Sequence, residues 1–162
     1  MAGLRRWASF LLLAAGLFLG LRLLHVGLPL VSPQVPAAPR RLADPALARR
    51  YTGFSAWLPF YRPAKLGARP VEVVVTHRPD PALHVVWRGE RFLVLDQRRR
   101  APSPPAAARP LAGRPGAVEW QEGAVRRAQL RAGDLVIDVA TDLELADLER
   151  LVASLTPVER LR

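Results

Sequence analysis

Apolar residues are patterned in three ways along this chain, and each way predicts a different element. Residues 7–21 are fifteen consecutive positions without a charge; Arg22 interrupts, and LLHVGLPLV carries the apolar run on to Val31. Apolar side chains would occupy every face of such a helix, which argues against a surface helix of a globular domain. A spanning helix needs about 20 residues. Residues 7–28 would rise roughly 33 Å, with Arg22 near one end snorkelling to the headgroups. Residues 1–31 therefore read as a retained membrane anchor with Arg5, Arg6 and Arg22 at the membrane interface. The alternative is a cleaved secretory signal, whose basic start Arg5 and Arg6 would supply, although no small-x-small site follows Leu21. His25, three residues beyond Arg22, reads as interfacial in the same way.

The charge rule for membrane orientation gives two signals. Arg5 and Arg6 precede the span, whereas Arg40, Arg41, Arg49 and Arg50 follow it at a distance. Long domains translocate largely regardless of charge, so the expected topology is single-pass, N-terminus inside and the body outside the cytoplasm. Residues 32–44, which include SPQVPAAPRR, read as a Pro-rich linker. The folded body is expected over 45–157.

A short helix follows over 45–51, with Asp44 as N-cap and Pro45 at the first helical position. FSAWLPFYRP (54–63) is aromatic and Pro-broken and suits an irregular segment packed on a core. The period then changes to two, the signature of strands. VEVVVTH (71–77) places Val71, Val73 and Val75 on one face, and LHVVWR (83–88) groups Leu83, Val85 and Trp87. RFLVLDQ (91–97) puts Phe92 and Val94 on one face, Leu93 and Leu95 on the other. A two-residue hairpin at Gly89–Glu90 would set Trp87 opposite Phe92 and Val85 opposite Val94. Being apolar on both sides, the strand ending at Gln97 is expected to be central.

Residues 98–116, RRRAPSPPAAARPLAGRPG, read as a disordered low-complexity loop. Strand signals resume over 117–120, 124–130 and 135–140, with turns at Glu122–Gly123 and Gly133–Asp134. The chain closes with a helix predicted by the capping box Thr141-x-x-Glu144 and the stripe Leu145, Leu148, Leu151, Val152 and Leu155, with Pro157 as its stop. The fold class is α+β: an antiparallel sheet of about five or six strands with a C-terminal helix packed on it.

Composition narrows the chemistry. The 162 residues contain no cysteine, so disulfides and thiolate metal sites are excluded. The net charge of +10 is unevenly spread: residues 1–50 carry +6, residues 98–116 carry +5, and residues 117–162 carry −3. An excess held in the membrane-proximal part and one loop is not the clustered stripe a polyanion needs, so no nucleic-acid partner is expected. Membrane lipids are the expected partner of the juxtamembrane arginines.

The candidate chemical residues have plain readings. His77 and His84, with Asp80 between them, do not converge as ligands: pairing through RPDPA puts His77 opposite Leu83 and turns His84 to the other face. Asp134, Asp138 and Asp142 read as a solvated strand face and a cap, and Ser154 as packing. No catalytic residue, cofactor or metal is expected. Trp57, Phe60, Tyr61, Trp87, Phe92 and Trp120 could line a groove for a peptide or acyl chain, although aromatics at strand spacing more often form a core; the groove reading rests on Trp57, Phe60 and Tyr61, which share a Pro-broken segment able to act as a flap.

The segments LPFYRP, VVWRGERFLVLDQ, VEWQEG and TDLELADLERLVASL together resemble a family of bacterial extracytoplasmic domains of unknown function. These occur behind single membrane anchors, often in proteins linked to anti-sigma factors and sporulation. The resemblance covers roughly residues 57–156; the Arg/Pro loop and one further strand depart from it. A more distant likeness is to lipoprotein carriers and sigma-regulating lipid sensors. The implied function is a membrane-anchored binding or regulatory module without catalysis, with an envelope protein as a further partner. The alternative is a small lipid- or lipoprotein-handling domain.

Overall fold

The computed structural model describes residues 38–76 and 80–160. The expected anchor, with Arg5, Arg6, Arg22 and His25, lies outside the described residues, as do residues 32–37 of the linker and His77. Among the described residues no helix is long and apolar enough to cross a membrane.

The body is α+β. Ten strands run in chain order: β1 (Arg40–Arg41), β2 (Trp57–Pro59), β3 (Glu72–Thr76), β4 (Ala82–Arg88), β5 (Phe92–Arg98), β6 (Arg109–Pro110), β7 (Val118–Glu122), β8 (Val125–Ala132), β9 (Leu135–Thr141) and β10 (Leu155–Pro157). Eight form one sheet in the order β1-β3-β4-β5-β9-β8-β7-β6, and β10 pairs with β2 in a second. Every pairing is antiparallel. The main sheet thus exceeds the five or six strands expected. The two-residue edge strands β1 and β6 are too short to leave a period-two signal.

The inner face of the main sheet is the core. Val73 and Val75 on β3, Leu83, Val85 and Trp87 on β4, Leu93 and Leu95 on β5, and Ile137 and Val139 on β9 are all buried. They form one cluster with Leu148, Leu151 and Val152 of helix α2 (Leu145–Ala153), the stripe that its spacing predicts. Val71 departs from this set: it precedes β3 and is 60% exposed.

The β4–β5 hairpin is registered one residue away from the sequence expectation. Trp87 opposes Leu93 and Val85 opposes Leu95, so the connection is three residues, Gly89 to Arg91. A one-residue slip exchanges the faces of a strand. Leu93 and Leu95 therefore enter the core, and Phe92 and Val94 turn outward, half-buried. The cause is a tertiary contact. The Arg91 amide donates to the Lys65 carbonyl at 3.2 Å, and the Gly89 amide to Arg91 O at 2.9 Å. A Cβ on Gly89 would come within 2.5 Å of that same Lys65 oxygen. The 65–67 segment thus clamps the hairpin end against a position only glycine can occupy.

The ends of the chain segment differ in how far local signals decide them. Asp44 accepts from the Ala46 amide at 2.8 Å and starts a 3₁₀ turn (Pro45–Ala48) that runs into α1 (Arg49–Thr52). The capping box at Thr141 does not form. Thr141 ends β9, where its hydroxyl donates to Phe92 O and accepts from the Leu143 amide. Glu144 is the N-cap residue of α2 and makes no side-chain cap. Leu155, expected on the helical stripe, belongs to β10 and is buried there. Within residues 98–116, whose composition predicts disorder, Leu111 is buried and its amide bonds to Ala117 O at 2.9 Å. That contact seats β6 against β7.

Gln97 joins the two sheets. It is fully buried on the inner face of β5 and opposes Leu83 and Ile137. Its Oε1 accepts from the Trp57 amide at 2.8 Å and its Nε2 donates to the Trp57 carbonyl at 2.7 Å. One side-chain amide thereby gives β2 a donor–acceptor pair of the kind a neighbouring strand would supply. Replacing it by Leu orphans both backbone groups, at roughly 1–3 kcal/mol each. Gln97→Leu is thus expected to lower unfolding free energy by about 2 kcal/mol or more in denaturant titrations. Gln97→Glu makes both bonds only as the neutral acid. Its folded-state pKa is therefore raised, and the variant should recover stability as pH falls through that pKa, unlike Gln97→Leu.

Candidate functional site

The outer face of the main sheet is built by the other half of each alternation, and register places its residues in rows. One row runs Val74, His84, Asp96, Asp138, Gln129, Val118 across β3, β4, β5, β9, β8 and β7. The next, toward the β4–β5 hairpin, runs Val86, Val94, Ala140, Arg127, Trp120. A polar row thus lies beside a largely apolar one. Both follow from the hairpin register that sends Phe92, Val94, Asp96 and Arg98 outward.

The polar row is connected by hydrogen bonds. His84 Nδ1 lies 2.6 Å from Asp96 Oδ1. Asp138 accepts from Gln129 Nε2 at 2.8 Å and from Arg98 at 3.3 Å. The Gln129 amide also donates to Pro102 O at 3.0 Å, which ties the 98–116 loop to this face. The hydrogen bond and negative charge of Asp96, opposed by partial burial and aided by Glu72, hold the His84 pKa above its ordinary value of 6.5. Like carboxylates directly opposite one another repel. Asp96 and Asp138 are such a pair; Asp96 is compensated by His84 of β4, and Asp138 by Gln129 of β8 and Arg98 of β5.

At the hairpin end an open depression of about 470 Å³ lies over Val86, Phe92 and Val94, rimmed by Arg88, Arg91 and Asp142. Asp142 accepts from the Phe92 amide at 2.8 Å and pairs with Arg91 at 3.5 Å, so it fastens the start of β5 rather than the helix. Asp134, expected to share a strand face with Asp138, sits in the β8–β9 turn and pairs with Arg99 at 3.0 Å.

The aromatic segment singled out by sequence is placed differently from this face. Trp57 is held through its backbone by Gln97, and its ring lies under the Arg114 guanidinium, 5.7 Å from the centroid. Tyr61 donates to Asp147 Oδ1 at 2.9 Å, and its amide donates to Ser154 Oγ at 3.0 Å. Both pack on the core cluster. Phe60 is 79% exposed. The three are adjacent in the chain, but Trp57 and Tyr61 are engaged in attaching β2 and α2.

Sequence reasoning anticipated that His84 faces away from Leu83. The β3–β4 register is offset by two residues, with Val75 rather than His77 opposite Leu83, and an even offset preserves the face. It missed Asp96, Arg98 and Gln129. The only signal for them was parity with His84, which required the hairpin register first. Among the described residues no cluster of three or more His, Asp or Glu is arranged to hold a metal ion.

No known family model matches the sequence, and no curated protein matches it either.

The two aromatic positions should separate on substitution. Phe60→Ser, at an exposed side chain, should change stability by less than about 0.5 kcal/mol. Tyr61→Phe, which deletes the bond to Asp147, should cost about 0.5–1.5 kcal/mol in the same denaturant titration.

Proposed function

We propose that this chain is a single-pass, membrane-anchored binding module whose body works outside the cytoplasm without catalysis, with the outer sheet face as its contact surface. The observation that carries the reading is the division of labour between the two faces. The inner face is filled by the chain's own α2 together with Leu155 of β10 and residues of the 48–66 segment. The outer face presents half-buried Val94 and Phe92 beside His84 and Asp96, whose side chains are 40% and 39% exposed. A patch with an apolar floor and a polar margin has the composition of a protein contact. The apolar run at 7–31 and the Pro-rich linker support the anchor, and membrane lipids and an envelope protein are the proposed partners. The resemblance to extracytoplasmic domains behind single anchors supports a role in envelope or sigma-factor-linked signalling.

A second reading, a lipid- or lipoprotein-handling domain, is favoured by the depression over Val86, Phe92 and Val94. With the inner face packed, an acyl chain would have to lie there rather than inside a curved sheet.

External protease added to intact cells or right-side-out vesicles, followed by intact-mass analysis of the membrane fraction, tests the topology. The expected result is a membrane-held stub with the body digested from outside; a body protected until the membrane is opened refutes it. A photo-crosslinking side chain at Val94 should capture a protein under the first reading and an acyl chain under the second. The same group at Ala124, in the β7–β8 turn, serves as the control.

A further inference from the structure

The polar row ends on the 98–116 loop, and that connection gives it a use beyond contact. Asp96 and Arg98 are two residues apart on the same strand and point to the same face, yet Arg98 is bonded to Asp138. The Nε of Arg98 is buried and has no hydrogen-bond partner. A guanidinium with a spare donor, bonded to one carboxylate on the neighbouring strand and two residues from another on its own, has two arrangements available. Which one is favoured depends on whether Asp96 is compensated by His84.

We propose that the row His84–Asp96–Asp138–Gln129 is a proton-operated tie that couples the charge on His84 to the seating of the 99–108 segment on the outer face. With His84 protonated, Asp96 is neutralised across the 2.6 Å contact, Arg98 stays on Asp138, and the Gln129 amide bridges Asp138 and Pro102 O. When the ring loses its proton it can keep an Nδ1–H on Asp96 as the neutral tautomer, but its positive charge is gone. Asp96 then competes for Arg98. Asp138, left with Gln129 alone, draws that amide off Pro102, and the loop is released.

The charged groups facing His84 are consistent with this. On β3, Glu72 raises its proton affinity and is itself paired with Arg41 of β1 at 3.3 Å. On β5 it meets Asp96, with Arg98 beyond, and the next strand adds Asp138. The folded-state pKa lies above the unfolded value, so the tie holds fully below 6.5 and is lost as pH rises through the raised pKa. As a control over partner contact, the tie rests on the outer face being the contact surface. As a coupling between proton and loop it does not, and the experiment reads the coupling alone.

The absence of cysteine makes Ser103→Cys a unique attachment point on the loop, at an exposed position. The full chain, labelled there with a fluorophore and held in detergent micelles, is followed by anisotropy between about pH 6 and about pH 9. NMR of the His84 ring gives its midpoint in parallel. The expected result is an anisotropy that falls with the same midpoint as His84, above 6.5. Asp96→Asn should move the His84 midpoint to 6.5 or below, and His84→Gln should abolish the anisotropy step. An anisotropy independent of pH, or a step that survives His84→Gln, overturns the proposal. So does any step that survives in Asp96→Asn, which has no carboxylate to compete for Arg98. Gln129→Leu, which cannot bridge to Pro102, should show low anisotropy at both ends of the range. A wild-type pH response in that variant would also overturn the tie.

Discussion

One buried side-chain amide, that of Gln97, bonds the backbone of the small β2–β10 sheet to the large one. Gln97 lies in an apolar row between Leu83 and Ile137, where a polar group is costly unless both its donor and its acceptor are satisfied. Trp57 satisfies them with its own peptide N–H and C=O. The bond is reciprocal in consequence. Without Trp57 the amide would destabilise the core, and without the amide the Trp57 backbone would be left partnerless. The segment that follows, through Pro59 and Phe60, then meets β10 and Ser154, which closes the path back to α2.

What was legible in the sequence was what period and turn chemistry decide locally. The inward set Leu83, Val85 and Trp87, the stripe Leu148, Leu151 and Val152, the cap at Asp44 and the turn at Gly133–Asp134 are each settled within a few residues. The misses share one physical origin, a distant contact overriding a local rule. Gly89–Glu90 suits a two-residue turn, but the Lys65 carbonyl takes the Arg91 amide and makes the connection three residues long. Thr141 suits an N-cap, but β5 is adjacent and the Phe92 carbonyl claims its hydroxyl. Composition marks 98–116 as a loop, yet one leucine with a pocket to fill is enough to seat part of it.

The outer face was harder to read because it inherits every register error of the core. β5 is ambiguous by composition: Leu93 and Leu95 on one side, Phe92 and Val94 on the other, are both apolar enough to be buried. Two of its polar residues, Asp96 and Gln97, are neighbours, and composition does not decide which of them faces solvent. Only the hairpin register separates them, sending the amide to a backbone partner and the carboxylate to His84. The aromatic segment was open between two uses for the converse reason. Trp57, Phe60 and Tyr61 are the sort of residues a groove displays, but two of them serve as attachment points, which three-residue strands such as β2 require.

β5 therefore carries the fold and the candidate site on alternate residues, and this makes the two inseparable. The Lys65 contact at the hairpin sets the strand's register, Gln97 holds its inner face to β2, and that position puts Asp96 opposite both His84 and Asp138. Shifting β5 by one residue would bury the carboxylate and expose the amide, at a cost far above that of losing one surface ion pair. The row on the outer face thus needs no stabilising energy of its own to stay in line. Its members are free to exchange partners with protonation while the strands beneath them stay put. That separation, a rigid ladder set by the core and a labile set of charges arranged on it, is the condition a proton-sensitive contact surface requires.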